Sequence, residues 1–250
     1  MLNLETLSAP DFLQLAGHPL RWRLLGELAR SDRMVGELTR LVSQPQNLVS
    51  YHLAKLRDAR LVFVRRSSAD RRDNYYGLDI ARLGGLFSSA GGALHPGLRL
   101  MPPPADAVPL SGVRVLFLCT GNSARSPMAA ALARAISQGG IEAHSAGSAP
   151  RSVHPGAVRV MQAQHGLDIS AHIPRHLDEF AGERFDCVVS LCDRVREVCP
   201  DFPGASGMIH WSIENPVSGD TGETNPDARF EQTAAELANR IEYLLVMLAH

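Results

Sequence analysis

One short stretch concentrates the residue types able to do chemistry. In Leu116–Met128, LFLCTGNSARSPM, the thiol of Cys119 is followed six places on by Arg125, with Ser126 and Pro127 directly after it. A thiolate beside a guanidinium is a nucleophile with an anion clamp, provided that the backbone between them forms a cradle. The flanks supply one. Val113–Leu118, VRVLFL, reads as a buried strand, and Pro127–Ser137, PMAAALARAIS, as a helix with Pro127 in its first turn. The thiol therefore lies in a strand-to-helix loop, where Gly121 and Asn122 tolerate a left-handed backbone. The backbone N–H groups of Thr120, Gly121, Asn122, Ser123, Ala124 and Ser126 then line a pocket suited to a tetrahedral oxyanion. Arg125 and the positive helix end both favour thiolate over thiol at Cys119, and the Ser126 hydroxyl can hydrogen-bond to it.

A nucleophile bound covalently to an oxidised substrate has to be released, and a second thiol that attacks it does so while reducing the substrate. SLCDRVREVCP places Cys192 at the end of an apolar run and Cys199 seven residues on, across a charged segment short and polar enough to move. A third thiol at Cys199 can take over the disulfide and present it to an external reductant. Cys187, in DCVVS, alternates with apolar strand positions and reads as a small buried hydrophobe. The four cysteines all follow residue 118, the segment MLNLETLSAPDF is acidic, and no apolar run reaches the length of a membrane span. That combination suits a cytoplasmic, reducing setting better than a disulfide framework. His18, His52 and His95 lack ligand spacing, so neither a metal nor a bound cofactor is expected, only an external thiol reductant.

Positioning these thiols falls to the second part of the chain, where strand-like and helix-like segments alternate: IEAHSAG, HPGAVRVMQAQHG, FDCVVSLC, MIHWSI and a closing amphipathic helix in PDARFEQTAAELANRIEYLLVMLAH. Such alternation implies an α/β domain over 113–250, with a four-stranded parallel sheet flanked by helices and the thiol loop at the carboxyl end of its first strand.

The first part differs in charge and pattern. Residues 1–100 carry 14 Lys+Arg against 9 Asp+Glu, net +5, whereas 101–250 carry 11 against 17, net −6. Between them, nine of the 25 residues 88–112 are Gly or Pro, which sets a linker over 91–112. Helical periodicity in DFLQLAGHPLRWRLLGELAR, MVGELTRLVS and PQNLVSYHLAKLRDARLV suggests a mainly α helix-turn-helix unit over 1–90. Its last helix offers Gln44, Gln46, Asn47, Ser50, Tyr51, His52 and Lys55 to base edges and phosphates. Two strand-like runs, 61–66 and 74–78, flank a polar loop, and Arg65, Arg66, Arg71 and Arg72 make this β-hairpin a candidate wing on duplex DNA.

On HPLRWRLLGEL, NLVSYHLAKLRDARLV and the wing, residues 12–82 resemble the winged-helix regulators of the arsenic-repressor (ArsR/SmtB) family. The resemblance implies a homodimer held by the first and last helices and bound to an inverted-repeat operator. Members of that family that sense arsenite or soft metals do so through cysteines, and SDRMVGELTR has none. On CTGNSARSPMA, SAGSAP, GLDIS, VVSLCDRVREVCP and HWSIENP, residues 113–250 resemble the low-molecular-weight protein tyrosine phosphatase superfamily, and more closely its thioredoxin-coupled arsenate reductases. This resemblance implies Cys119 as nucleophile, Arg125 as oxyanion clamp, Cys192 and Cys199 as resolving thiols, and thioredoxin or a similar protein as reductant.

The general-acid aspartate of that superfamily falls on Asn215, before Pro216. An ester needs its leaving oxygen protonated, an effect typically worth about 10²–10⁴ in rate, and Asn215 has no proton to give. Arsenate leaves a labile hydroxide or water there, and Glu214 can partly substitute. Phosphotyrosine would also want aromatic walls, yet Pro216 is followed by Val217 and Ser218. The reading is a DNA-binding regulator fused to an arsenate reductase. Its alternatives are a regulator whose weak phosphatase-like half senses an oxyanion or redox state, and a tyrosine phosphatase.

Overall fold

Pro19 decides how the chain begins to fold. The sequence pattern suggested one helix from Asp11 to Arg30, but the computed structural model, which describes residues 10–95, 98, 110–198, 208–217 and 225–249, divides it into α1 (Asp11–Ala16) and α2 (Pro19–Arg30). Proline has no N–H for the helical ladder and fits a first turn, so the break falls just before it, with the His18 side chain capping α2 by accepting from Leu20 N.

The chain divides into two compact units, 1–66 with 72–102, and 67–71 with 103–250. In the first, α2 is followed by β1 (Arg33–Met34), α3 (Val35–Val42), α4 (Gln46–Asp58), β2 (Val62–Arg66), β3 (Asn74–Leu78) and α5 (Ile80–Leu94). The strands form an antiparallel sheet in the order β1-β3-β2, with Val62 opposite Leu78 and Arg66 opposite Asn74. Leu24, Leu28, Leu38, Val49, Leu53, Leu56 and Leu61 meet in its core. Helix α5 corrects the expected linker, because SSAGGAL up to Leu94 is helical despite its glycines. It is apolar, yet none of its residues is fully buried.

The second unit contains β4 (Val113–Cys119), α6 (Arg125–Ile136), β5 (Ile141–Gly147), α7 (Pro155–His165), β6 (Cys187–Ser190), α8 (Asp193–Val198), β7 (Met208–His210) and α9 (Ala228–Leu248). The four strands pair in parallel in the order β5-β4-β6-β7. Strand β4 is central and its residues from Val115 to Cys119 are all buried, which explains why VRVLFLC is almost continuously apolar. Small residues keep α6 close to its neighbours: Ala129, Ala130, Ala131 and Ala133 are buried where the helix packs on β4, β5 and α9. Helix α9 closes the layer with Phe230, Ala234, Leu237, Ile241 and Leu245, spaced three or four apart on one face. The segment Asp193–Val198, read from the sequence as a movable connection, is helical. No helix among the described residues is long and apolar enough to cross a membrane.

Candidate functional site

Strand β4 delivers Cys119 to the carboxyl edge of the sheet, opposite Gly147 of β5, and α6 starts six residues later at Arg125. The intervening loop is fixed from outside by its carbonyls. Thr120 O, Gly121 O and Ser123 O accept from the backbone N–H groups of Ala149, Arg151 and His154, each at 2.8 Å. In a trans peptide the N–H points opposite to the C=O, so these bonds turn loop N–H groups toward the space that the loop encloses. Close approach of β5 makes this possible. A Cβ at Gly147 would stand 2.6 Å from Thr120 O, 2.8 Å from Asn122 N and 2.9 Å from Cys119 O.

Asn122, not Gly121, takes the left-handed turn of the loop, at φ 43°. Its side chain is fully buried and uses all its hydrogen-bonding capacity. Nδ2 donates to Ser126 Oγ and Ser145 Oγ, both at 2.9 Å, while Oδ1 accepts from Arg175 N at 2.9 Å and His172 Nε2 at 3.2 Å. An acceptor oxygen at that distance puts the His172 proton on Nε2. Burial, and then the Arg134 charge, push the His172 pKa down, which favours this neutral form. The sequence showed Asn122 only as a turn former; SAG and HIPRH held its partners without marking them.

Cys119 Sγ lies 3.0 Å from Ser126 Oγ, and both atoms are in buried residues. Because Asn122 donates into Ser126 Oγ, the single hydroxyl proton is left for Cys119 Sγ or the Ala146 carbonyl at 3.4 Å. Arg125 is 6% exposed, and its Nη1 donates to Leu191 O at 3.1 Å and Ile213 O at 2.9 Å. A guanidinium has five N–H donors, so a fork pinned in this way keeps donors for an anion. The same bond ties the segment before Asn215 to the site. Asn215 itself is half-buried, accepts from Val217 N at 3.4 Å, and precedes a buried Pro216. Glu214 is exposed.

Cys192 is buried at the start of α8, with its Sγ 3.1 Å from Thr120 Oγ1, one residue from the proposed nucleophile. Burial pushes this thiol up. The Arg125 charge, the Thr120 hydroxyl and the N–H groups of Val195 and Arg194 outweigh it, and the pKa lies below the ordinary thiol value. Beside it, His210 bridges Asp193 Oδ1 at 3.1 Å and Ser190 Oγ at 2.8 Å in complete burial, which fixes the first residue of α8. Burial raises the Asp193 carboxyl, and hydrogen bonding led by His210 lowers it further, below the usual range. Cys187 lies in β6, where burial and then Asp186 push its thiol up to about 12, as suits a core residue. Cys199 lies outside the described residues.

In the first unit, Gln46, Asn47, Ser50, Tyr51 and Lys55 are exposed on α4, and Gln44 is half-buried just before it. His52 is not on that face. It is 5% exposed because it shares the inner stripe of α4 with Val49, Leu53 and Leu56, and its ring packs 4.4 Å from that of His18. Arg66, Arg71 and Arg72 are exposed, and the Arg65 guanidinium lies 5.0 Å from the Phe63 ring centre.

Residues 114–250 match the family model of the low molecular weight phosphotyrosine protein phosphatases, and residues 18–63 that of the bacterial regulatory proteins of the arsR family. The arsenate reductase of Halalkalibacterium halodurans is 32% identical over 128 residues, 51% of this chain and 91% of that protein. For the Bacillus subtilis arsenate reductase the identity is also 32% over 128 residues, again 51% and 91%. Among solved structures, an arsenate reductase from Archaeoglobus fulgidus aligns over 53% of this chain and 98% of its own, at 32% identity and a TM-score of 0.43.

Two outcomes are expected. Gly147→Ala should lose about 1–3 kcal/mol of stability in urea unfolding, the usual cost of overpacking, and inorganic phosphate should no longer protect Cys119 from alkylation. A stable variant with full protection would show that β5 does not hold the loop. In a titration of ultraviolet thiolate absorbance, Cys192→Ser should remove a step lying below the ordinary thiol value, whereas Cys187→Ser should change nothing until about pH 12. An unaltered curve for Cys192→Ser would mean that burial wins at that thiol.

Proposed function

We propose that this chain, which belongs to the low molecular weight phosphotyrosine protein phosphatase family and carries an arsR-family domain at 18–63, is a DNA-binding regulator joined to a cysteine-dependent arsenate reductase. Cys192 is the observation that carries the second half. Ester hydrolysis has no use for another thiol at the rim of the loop, whereas reduction requires one, and this thiol is held below its ordinary pKa within reach of Thr120.

The Cys119 thiolate attacks arsenic(V) of arsenate, held by loop N–H groups and Arg125, and displaces a water or hydroxide. Cys192, as thiolate, then attacks Cys119 Sγ. The S–S bond forms, the S–As bond breaks, and its electron pair leaves with arsenic, now arsenic(III), as arsenite. Cys199 next attacks Cys192 Sγ, freeing the Cys119 thiolate, and thioredoxin or a similar dithiol reduces the Cys192–Cys199 disulfide. The reductase homologues of Halalkalibacterium and Bacillus support this reading. So does Asn215, since a hydroxide or water leaving arsenic needs less acid help than an alkoxide does.

The first half binds an inverted-repeat operator as a homodimer through α4 and the wing. Helix α5 supports the dimer: it is apolar, has no fully buried residue, and its Phe87 meets Phe12 of α1 edge to face at 5.4 Å. A second copy laid on α1 and α5 would cover that face. Free thiols and a thiol reductant suit a cytoplasmic setting. Asn215 also favours a second reading, in which catalysis is weak and the domain registers an oxyanion or oxidation for the regulator.

Turnover separates the two. Given arsenate and a reduced thioredoxin system, the purified chain should oxidise many equivalents of reductant and release arsenite; consumption that stops at one equivalent would leave only the sensor. Asn215→Asp should raise hydrolysis of an activated aryl phosphate by about 10²–10⁴ and alter arsenate reduction much less. Equal gains on both substrates would mark the natural chain as a weakened enzyme.

A further inference from the structure

Between α2 and α4 lies a cleft of about 330 Å³, lined by His18, Pro19, Arg23, Gln44, Leu48 and His52 among others. No acidic side chain lines it. One buried polar atom in its lining is unsatisfied: His52 is 95% buried, and its Nδ1 has no hydrogen-bond partner. Burial, then His18 and Arg21, lower the His52 pKa, which favours the neutral ring. The His18 ring, 4.4 Å away, accepts from Leu20 N through Nδ1, which leaves the proton on Nε2 as a donor. Pro19 opens α2, whose twelve residues direct the positive end of their dipole at the same place. Arg23, one turn on, is exposed and has no acidic partner among the described residues.

The cleft shares the first turns of α4 with the exposed recognition residues, since Leu48 and His52 line it while Asn47, Ser50 and Tyr51 beside them face outward. We propose that it is a phosphate-binding site, occupied in the DNA complex by one backbone phosphodiester held by Arg23, the Gln44 amide and His18 Nε2–H. The inference rests on the DNA-binding reading given above. One exposed guanidinium beside neutral groups holds a free anion weakly. Joined to the contacts of α4 and the wing, the same bond forms at high effective concentration, which favours DNA over free phosphate as the source. The site also assigns a purpose to His18 and Arg23, which neither the base-reading residues nor the wing include.

The test is binding of the full chain to a duplex from upstream of its own coding sequence, and to an unrelated duplex, across a range of KCl concentrations. Arg23→Ala should weaken both complexes about tenfold and lower the slope of log affinity on log salt by about 1; Arg23→Lys, which keeps the charge, should recover the slope. Arg23 is exposed, so the variant folds without repacking a core. Unchanged affinity and slope for Arg23→Ala beside normal binding by the natural chain would overturn this inference alone. A natural chain without affinity for either duplex at low salt would overturn the DNA-binding reading and this inference with it. Inorganic phosphate, titrated at constant ionic strength without DNA, tests the other source. Saturating shifts of the His18 and His52 ring resonances, with DNA binding intact in Arg23→Ala, would reassign the cleft to a free oxyanion and overturn the DNA assignment.

Discussion

The Asn122 amide is bound at both ends, and the geometry of the thiol loop depends on it. One buried side chain in a left-handed turn joins the start of α6 through Ser126, strand β5 through Ser145, and the loop after α7 through Arg175 N and His172. An amide is suited to the position because it offers two donors and an acceptor in a fixed plane, without a charge to desolvate. An aspartate there would present acceptors to the hydroxyls and place a negative charge beside the proposed oxyanion site. Gly147 meets the complementary constraint by letting the sheet edge approach the loop closely enough for Ala149, Arg151 and His154 to take up its carbonyls. Partners on both sides are what hold the loop in one shape.

Three described thiols show how environment divides one chemistry. Cys187 is enclosed in β6 beside Asp186, where nothing favours charge. Cys192 is equally buried, but Arg125, Thr120 and two helix N–H groups surround it, so the same desolvation is overcome. Cys119 sits against Ser126 at the head of α6. Position along the strand separates these fates: Cys187 opens β6 at its amino end, paired with Val115, whereas Cys119 and Cys192 stand at or just past carboxyl ends of neighbouring strands, where parallel α/β sheets gather their ligands. The buried His210–Asp193 pair secures the start of α8, and so the place of Cys192.

Much of this was legible in the sequence, because it was written locally. Strand period, the placement of Pro127 in a first helical turn, the wing strands read at 61–66 and 74–78, and the Cys119–Arg125 spacing each depend on a few neighbouring residues and on steric rules that hold anywhere. Where local rules competed, the sequence was less reliable. Gly91 and Gly92 placed the start of the expected linker before Leu94, yet α5 runs through them, since a weak propensity costs less than the ladder of hydrogen bonds returns. His52 looked like part of a polar recognition face, but the stripe of Val49, Leu53 and Leu56 sets which side of α4 faces the core, and His52 falls on it.

By itself the sequence determined the two-part architecture, the Cys119–Arg125 spacing and the opposite charges of the two parts. Only the tertiary structure decided which groups share an environment: that Asn122 links segments up to 53 residues apart, that Arg125 is pinned by carbonyls 66 and 88 residues away, and that Cys192 meets Thr120 across 72 residues. Helix and strand preferences act between near neighbours and are read from a window of the chain. Desolvation and charge proximity depend on distance in space, which the sequence does not contain until the sheet has closed.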